Sequence, residues 1–237
     1  MGHPMKRLCT ICARGGSKGL PGKNIRPMGG EPLIVHSLLQ AQSSGLFDSV
    51  AVSSDSKEIL NISEKAGADY CVFRPKELAS DSAPKLPAIQ HCVNEVERIS
   101  GETFDVIVDL DVTSPLRLIK DIEGAVRLLE DKNVSNVITG CPARRSPYFN
   151  LVERDEDGYV RLSKTPEQTI VRRQDAPECF DMNASIYVWK RAGLIGSESI
   201  FNEDTLLFVM PEERSIDVDS EWEFEYVEFL FNKRVSP

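Results

Sequence analysis

The residues best suited to chemistry lie in a glycine-rich, cationic segment near the start of the chain. It reads ARGGSKGLPGKN from Ala13 to Asn24 and directly follows an apolar run typical of a strand. Glycines let a backbone turn sharply and direct successive N–H groups at one spot, which is how a loop holds phosphate. The cations Arg14, Lys18 and Lys23 would strengthen that hold. The segment therefore predicts a phosphate-binding loop, and a tight surface turn with solvated cations is the alternative.

The distribution of charge favours the same interpretation. The chain has 237 residues and a formal net charge of −9, yet no Asp or Glu precedes Glu31. Nucleic-acid binding depends on clustered cations that neutralise backbone phosphates, so an acidic chain of this kind argues against a nucleic-acid partner. A single acid-free cationic segment in an acidic protein predicts a site for a small anion instead.

The loop lacks the spacing of better-known motifs. A P-loop requires Ser or Thr after its lysine, but Asn24 follows Lys23, and no glycines here have the G-x-G-x-x-G spacing. The pattern G-x-S-x-G does match around Ser17, yet Pro21 and Gly22 follow where a nucleophile elbow enters a helix. The three histidines, at positions 3, 36 and 91, also come too early for a triad of that type. The sequence therefore predicts neither a P-loop, nor a dinucleotide site, nor a serine hydrolase.

Two carboxylates near the other end of the chain form a second candidate centre. Asp217 and Asp219 are spaced two apart on a segment predicted to be extended and to end a strand, so that both side chains project to the same side. Magnesium is held in proteins by one or two carboxylates together with waters and phosphate oxygens. The pair therefore predicts a site for a hard cation. Capping of the following helix by Asp219 is the alternative, although Ser220 can provide that cap.

The cysteines do not predict a metal or redox site. The six of them, at positions 9, 12, 71, 92, 141 and 179, are scattered through a chain too large to need disulfides. Cys9 and Cys12 match C-x-x-C, but inside a strand a spacing of three puts the two side chains on opposite faces. Since no second pair exists to complete a zinc site, we expect reduced thiols.

The overall composition is that of an ordinary globular protein. Hydrophobic residues make up 41% and charged residues 27% of the chain. No apolar run approaches the roughly 20 residues of a membrane helix, and Leu8–Ala13 is too short and too polar for a signal-peptide core. We therefore expect no membrane partner and a cytoplasmic location.

The elements that must position these residues alternate between strands and helices. Strand patterns occur at Arg7–Ala13, Ser49–Ser53, Ala68–Phe73, Asp105–Leu110, Ser135–Cys141, Ala184–Lys190 and Thr205–Val209. Helical patterns occur at Pro32–Ser43, Ser56–Ala66, Lys85–Ile99, Ile119–Asp131 and Ser220–Phe231. The alternation predicts an α/β fold with a mostly parallel, doubly wound, Rossmann-like sheet covered by helices on both faces. Ligands of such sheets bind at the carboxyl ends of the strands.

The alternation breaks over residues 143–180, a segment rich in proline and arginine. The turn sequence D-E-D-G at Asp155–Gly158 predicts a hairpin there. We therefore divide the chain into a nucleotide-binding core over 1–142, an inserted arm over 143–180, and the end of the core over 181–237, which carries the carboxylate pair and the last helix.

The last helix is predicted to begin with a capping box and to pack through aromatic residues. Its first residues read S-E-W-E, in which Ser220 and Glu223 have the spacing of that box. Trp222, Tyr226, Phe229 and Leu230 fall on one helical face, which we expect to lie in the core.

Five spaced motifs together resemble the CMP-sialic acid synthetase (acylneuraminate cytidylyltransferase) family, a branch of the nucleotide-sugar pyrophosphorylases. They are the loop at 13–24, FRPKELASD from Phe73, TSPLR from Thr113, the stretch from Asn183 to Tyr187, and SIDVD from Ser215. They occur in the family's order and span nearly the whole chain. The resemblance implies a homodimeric enzyme that uses Mg²⁺ to join CTP to a nonulosonic acid, giving a CMP-sugar and pyrophosphate.

The resemblance also assigns residues to ligands. Arg14, Ser17, Lys18, Lys23 and Asn24, with Ala13, correspond to the triphosphate loop, and Arg74, Ser80 and Asp81 to the surroundings of the cytosine ring. Asp217 and Asp219 become the Mg²⁺ ligands and, with Lys23, the catalytic set. The sugar site corresponds to Asp111, Thr113, Ser114, Arg117, Arg173, Asp181, Asn183 and Tyr187. Residues 143–180 resemble the family's dimerisation arm, whose Arg173 would meet the sugar's carboxylate, assisted by Lys164 or Arg172.

Two acidic residues depart from the pattern of the sialic acid enzymes. Asp111 stands where those enzymes show Gln, and Asp181 where they show Arg. In this respect the chain is similar to bacterial CMP-legionaminic acid synthetases, whose substrate carries two acylamido groups. A carboxylate that accepts the additional N–H would favour N,N′-diacetyllegionaminic acid. N-acetylneuraminic acid or another acidic sugar, and a catalytically silent nucleotide-binding regulator, are the alternatives.

Overall fold

A mixed sheet forms the centre of the protein. The computed structural model describes residues 5–17, 19–80, 82–165, 170 and 172–235. In chain order, the strands of the central sheet are β1 (Arg7–Cys12), β4 (Ser49–Ser54), β5 (Tyr70–Phe73), β6 (Val106–Leu110), β7 (Asn136–Pro142), β10 (Phe180–Lys190) and β11 (Leu206–Val209). Two short hairpins complete the numbering, β2 (Pro27–Met28) with β3 (Glu31–Pro32), and β8 (Val152–Arg154) with β9 (Val160–Leu162).

The order of strands in space is β11-β7-β10-β6-β1-β4-β5. Every pairing in this sheet is parallel except those of β10, which runs antiparallel to both of its neighbours. The predicted α/β fold with a mostly parallel sheet is therefore confirmed. From β1 the chain builds outward through β4 and β5, and then returns to place β6 on the other side of β1. The carboxyl ends of β1 and β6 thus flank a topological switch point, where such sheets open a ligand-binding crevice.

Helices cover both faces of the sheet. They are α1 (Leu33–Ser44), α2 (Lys57–Lys65), α3 (Lys85–Ser100), α4 (Ile119–Lys132), α5 (Arg191–Leu194) and α6 (Glu221–Val235). One apolar cluster gathers residues of α1, α2, α4 and α6, and the other gathers residues of α3 and α5. Strand β1 separates the two, because Cys9 belongs to the first cluster while Cys12 packs against the second. All six thiols are free, as expected.

The segment between β7 and β10 contains the predicted hairpin. Strands β8 and β9 pair antiparallel around the D-E-D-G turn, in which Tyr159 N donates to Asp155 Oδ1 at 2.9 Å. The arm leaves and rejoins the core at one place, since Phe180 at the start of β10 pairs with Pro142 at the end of β7. Strand β10 therefore begins before the predicted Ala184. The register shift between Met182 and Tyr187 interrupts the alternating pattern by which sequence reveals a strand.

Helix α6 is rotated from the orientation predicted for it. The side chains of Trp222, Tyr226 and Phe229 are 64%, 46% and 62% exposed, whereas Phe224 and Val227 are buried. The prediction that the former aromatics lie in the core was therefore wrong, although Leu230 packs against the core. Phe224 and Val227 pack into the core in this orientation, and the guanidinium of Arg26 adds a cation–π contact 4.2 Å from the centre of the Phe224 ring.

Candidate active site

A polar cleft of about 280 Å³ opens at the carboxyl ends of β1 and β6. It lies at the switch point that the strand order predicts. Three distant parts of the sequence meet there: the glycine-rich loop, the FRPKELASD motif and the start of the TSPLR motif. The predicted site residues that line it are Arg14, Ser17, Lys23, Asn24, Arg74, Ser80, Asp111 and Thr113. Lys18 and Asp81 lie outside the described residues.

Hydrogen bonds to its own backbone and to β4 fix the shape of the loop. Asn24 Nδ2 donates to Arg14 O at 2.9 Å, and Gly15 N donates to Asp55 Oδ1 at 2.8 Å. Ala13 N donates to Ser53 O at 3.0 Å, so this amide extends the sheet and does not face a ligand. The structure therefore places Asn24 and Ala13 as supports of the loop.

Lys23 joins the loop to the carboxylate pair. Its Nζ lies 2.7 Å from Asp219 Oδ1, and its side chain is 11% exposed where that of Asp219 is 68% exposed. The ammonium is thus held inside the cleft wall by a carboxylate that remains accessible. Two candidates that the sequence separates by most of the chain lie in direct contact.

Asp217 and Asp219 lie close enough for their negative charges to interact. Partial burial, together with the adjacent Asp219, raises the pKa of Asp217 to about 6. Two carboxylates that repel one another favour a shared cation, and their hard oxygen donors suit Mg²⁺. Among the residues that the structure describes there is no cluster of three or more side chains able to enclose a metal ion. The two carboxylates by themselves fit Mg²⁺, which would take its remaining ligands from water and phosphate oxygens.

The carboxylate pair was predicted to lie at the end of a strand, but the structure places it on an irregular segment. After β11 the chain forms a short 3₁₀ turn at Glu212–Arg214 and then extends into α6. Val218 N donates to Thr113 O at 2.9 Å, which attaches the segment to a residue that lines the cleft. The predicted cap is present in part, because Ser220 N donates to Glu223 Oε2 at 2.8 Å.

A buried ion pair anchors this segment from the other side. Both Nε and Nη2 of Arg214 donate to the carboxylate of Asp121, each at 2.8 Å. Asp121 is 2% exposed and also accepts a hydrogen bond from Leu118 N at the start of α4. A bidentate pair of this geometry restrains the turn that precedes the carboxylates. Asp121 and Arg214 are positioning residues that sequence analysis did not identify.

Gly19 allows the loop to approach Asp219 closely. A Cβ atom at this position would lie 2.2 Å from the carbonyl oxygen of Asp219, so any side chain must push the two segments apart. We expect Gly19→Ala to lower the free energy of unfolding by about 1–3 kcal/mol, the usual cost of an overpacked site. Urea unfolding measures the change.

Gly16→Ala is the matched control for this prediction. Nothing lies within 4 Å of a Cβ at Gly16, and we expect a change of no more than about 0.5 kcal/mol. If both variants unfold at the same urea concentration, the loop does not pack against Asp219 as described.

Lys85 contributes a charge to the cleft that the sequence analysis missed. Its Nζ lies 2.6 Å from Asp111 Oδ2 and 2.9 Å from Asp109 Oδ2. These carboxylates raise the pKa of Lys85 and outweigh the opposing effect of its burial. Burial alone would raise the pKa of Asp111, but Lys85 and hydrogen bonds from Thr113 hold it well below its usual range. Asp111 therefore lines the cleft as an ionised carboxylate whose nearest cation is Lys85.

Several predicted sugar residues lie beneath the cleft surface. Arg117 is 1% exposed; its Nε donates to Gln40 Oε1 at 2.8 Å, its Nη1 to Ser185 O at 2.8 Å, and its Nη2 to Ser37. Burial lowers the pKa of this arginine to about 10. The structure therefore corrects the assignment of Arg117 from a sugar ligand to an internal brace. Ser114, Asn183 and Tyr187 are also buried and lie beneath the residues that line the cleft.

Asn183 and Tyr187 make contacts that support neighbouring parts of the site. Asn183 Oδ1 accepts from Thr139 Oγ1 at 2.7 Å, and its Nδ2 donates to Ser215 Oγ at 2.9 Å. The ring of Tyr187 stacks on Trp189 and lies 4.9 Å from Lys85 Nζ. Asn183 thus supports the segment before the carboxylate pair, and Tyr187 supports Lys85.

The remaining predicted sugar residues lie in or beside the arm, away from this chain's cleft. Asp181 accepts a hydrogen bond from Arg144 N at 3.1 Å and does not line the cleft. Arg172 pairs with Asp175, and Lys164 Nζ lies 5.4 Å from the centre of the Tyr148 ring. Arg173 begins a 3₁₀ turn, and its side chain lies outside the described part of the structure. Asp181 was expected in the sugar site, but within one chain it does not line the cleft.

Over the part of the chain that the structure describes, no helix is long and apolar enough to cross a membrane.

Comparison with known proteins identifies similar chains of nearly the same length. A family model described as cytidylyltransferase matches residues 8–225. The chain is 45% identical over 231 residues to a CMP-N,N′-diacetyllegionaminic acid synthase of Campylobacter jejuni, covering 97% of both chains. It is 44% identical over 227 residues to the post-translational flagellin modification protein B of Campylobacter coli, covering 96% of this chain and 95% of that one.

A solved structure shares the fold at low sequence identity. It is that of CMP:2-keto-3-deoxy-manno-octonic acid synthetase complexed with CTP, with a TM-score of 0.71 and 17% identity over 97% of this chain and 99% of that one. The similarity supports the arrangement of strands and helices described above.

Proposed function

We propose, from the premise that this chain belongs to the cytidylyltransferase family, that it joins CTP to a nonulosonic acid to give a CMP-sugar and pyrophosphate. The observation that carries the proposal is the contact between Lys23 of the glycine-rich loop and Asp219 of the carboxylate pair, at 2.7 Å. It supports the proposal because the predicted phosphate-binding loop and the predicted cation ligands lie side by side near the switch point of the sheet.

The reaction proposed is attack of the sugar's anomeric hydroxyl on the α-phosphorus of CTP. The loop residues Arg14 and Lys23 hold the triphosphate, and Arg74, with Ser80, faces the cytosine ring from the same cleft. Arg74 is suited to this task because Ser53 fixes it, accepting from its Nη2 at 2.9 Å through the backbone oxygen. Catalysis then comes from positioning the two reactants and from cations that face the developing negative charge.

We further propose that Asp217 and Asp219 hold Mg²⁺. Bound there, the ion would neutralise phosphate charge as pyrophosphate leaves. Lys23 contacts Asp219 and lies beside the predicted triphosphate site, so it orients the carboxylate on one side and meets phosphate on the other.

We also propose that the protein forms a homodimer and acts in the cytoplasm. The arm exposes apolar side chains at Leu151, Val152, Tyr159 and Val160, with exposed fractions of 45%, 54%, 74% and 64%. An apolar hairpin surface of this kind is suited to bury against a second copy. In such a dimer Lys164, Arg172 and Arg173 would approach the partner's cleft, where a guanidinium can pair with the sugar's carboxylate.

The acceptor we propose is N,N′-diacetyllegionaminic acid. We expect kcat/KM to be about ten- to a hundredfold higher for this sugar than for N-acetylneuraminic acid. The reason is that Lys85 and Asp111, which line the cleft, can form hydrogen bonds to an additional acylamido group. Coupled detection of pyrophosphate with CTP and each sugar measures the ratio.

Asp111→Gln supplies the matched comparison for the acceptor. It removes the carboxylate that lies nearest Lys85 and should reduce the preference. Equal kcat/KM for both sugars in the wild type, or an unchanged ratio in the variant, would leave CTP transfer in place but refute this account of the acceptor.

A further inference from the structure

A compact charge cluster forms the floor of the cleft. Lys85 lies between the carboxylates of Asp109 and Asp111, with Nζ–O distances of 2.9 Å and 2.6 Å. The second oxygen of Asp111 accepts from both N and Oγ1 of Thr113 at 2.9 Å. Both oxygens of Asp111 are thus engaged, which leaves this carboxylate poorly suited to be the direct acceptor of a sugar N–H.

The charges of the floor compensate one another. Asp109 is fully buried beside Lys85, and Arg117, which is 1% exposed, lies near enough to Asp109 and Asp111 for their charges to interact. Two carboxylates, one ammonium and one guanidinium leave no excess positive charge to attract an anion. The phosphates of CTP and the sugar's carboxylate therefore belong elsewhere, and the floor suits a neutral polar group.

Lys85 retains hydrogen-bonding capacity toward the cleft. An ammonium has three N–H donors; one is donated to Asp111 Oδ2, and the ion pair with Asp109 engages at most one more. The side chain is 28% exposed and lines the cleft, unlike that of Asp109. The group that meets a neutral ligand at this position is therefore a donor, and its natural partner is a carbonyl oxygen.

The position of Lys85 favours the sugar over the cytosine ring as that partner. Its neighbour Asp111 lies close enough to Asp217 for the two charges to interact, and Thr113 O accepts the amide of Val218. Lys85 thus belongs to the side of the cleft where the carboxylate pair lies and where the reacting hydroxyl must come. Arg74 lines the same cleft and is available for the base.

We propose that Lys85 is a specificity-determining residue that donates a hydrogen bond to the carbonyl oxygen of an acylamido group on the acceptor sugar, while Asp109 and Asp111 hold its ammonium in place. The inference rests on the proposed function. It assigns recognition of the acceptor's acyl carbonyl to Lys85, and it predicts discrimination against the same sugar with a free amine, whose ammonium would face Lys85.

The test compares an N-acetylated nonulosonic acid with its free-amine counterpart as acceptors. Lys85→Met alone leaves two buried carboxylates without their cation, so the double variant Lys85→Met/Asp111→Asn is used beside it to restore the balance of charge. We expect the wild type to prefer the acetylated sugar by at least about tenfold in kcat/KM, a value consistent with one charge-assisted hydrogen bond. In the double variant this ratio should fall to about one to three, while the Kd for CTP changes by less than about twofold.

Lys57→Met is the matched control, since Lys57 opens α2 as Lys85 opens α3 but is exposed. It should keep the wild-type ratio. An undiminished preference in a folded double variant would overturn the proposal. So would a tenfold weaker Kd for CTP with an unchanged ratio, which would assign Lys85 to the nucleotide. Failure of the wild type to form any CMP-sugar would instead refute the proposed function itself.

Discussion

Replacing Asp217 or Asp219 by Asn is expected to lower kcat by about 10²- to 10³-fold while the fold is retained. Each substitution removes one of the two anionic donors available to a magnesium ion, and the stabilisation such an ion gives to phosphoryl transfer amounts to several kcal/mol. Asp219 is largely exposed and Asp217 lies on an irregular segment, so neither contributes much to the core. Pyrophosphate release at saturating Mg²⁺, together with circular dichroism, measures both effects.

Glu221→Gln is the control for loss of a nearby negative charge. Glu221 is exposed, follows the pair by two residues and is bound by Arg26. We expect less than a threefold change in kcat, in keeping with a surface ion pair. Full activity of either Asp variant, or turnover by the wild type in excess chelator, would show that the carboxylates are structural.

Replacing Lys23 by Ala is expected to weaken CTP binding by about ten- to a hundredfold, which corresponds to the loss of one charge-assisted contact. Arg14→Ala should act in the same direction because it lines the same cleft. Both residues lie on the loop, so the fold should persist. Calorimetric titration with CTP measures the change without depending on turnover.

Lys6→Ala is the control for the cationic segment as a whole. Lys6 belongs to the same acid-free stretch but pairs with Glu102, far from the cleft. We expect its CTP affinity to match that of the wild type. If Lys6→Ala weakened binding as much as Lys23→Ala, the effect would come from net charge and the loop would not be the triphosphate site.

Much of the fold could be predicted from the sequence because it follows from local patterns. Apolar runs and amphipathic periods located the strands and helices to within a few residues, and the turn at Asp155–Gly158 located the hairpin. The rotation of α6 could not be predicted in this way. Its aromatic residues occur on both sides, and the choice of face depends on Arg26 and other residues distant in sequence.

The site was predictable to the extent that its chemistry is local. The residue types that suggest phosphate binding in the loop, and cation binding in the carboxylate pair, stand next to one another in the sequence. The structure brings the loop and the pair into contact. The floor is not local, because Lys85, Asp109 and Asp111 come from α3 and from the end of β6. Two weak signals existed. A lysine in the first turn of a helix opposes the helix dipole, and an acid inside the apolar run of β6 requires a buried partner.

The most direct test of the account is to follow the phosphorus atoms of CTP by ³¹P NMR while the wild-type protein reacts with Mg²⁺ and N,N′-diacetyllegionaminic acid. Attack at the α-phosphorus predicts equal amounts of a CMP-sugar phosphodiester and pyrophosphate, both formed only when the sugar is present. Formation of CDP with orthophosphate, release of pyrophosphate without sugar, or no reaction in the folded protein would contradict it.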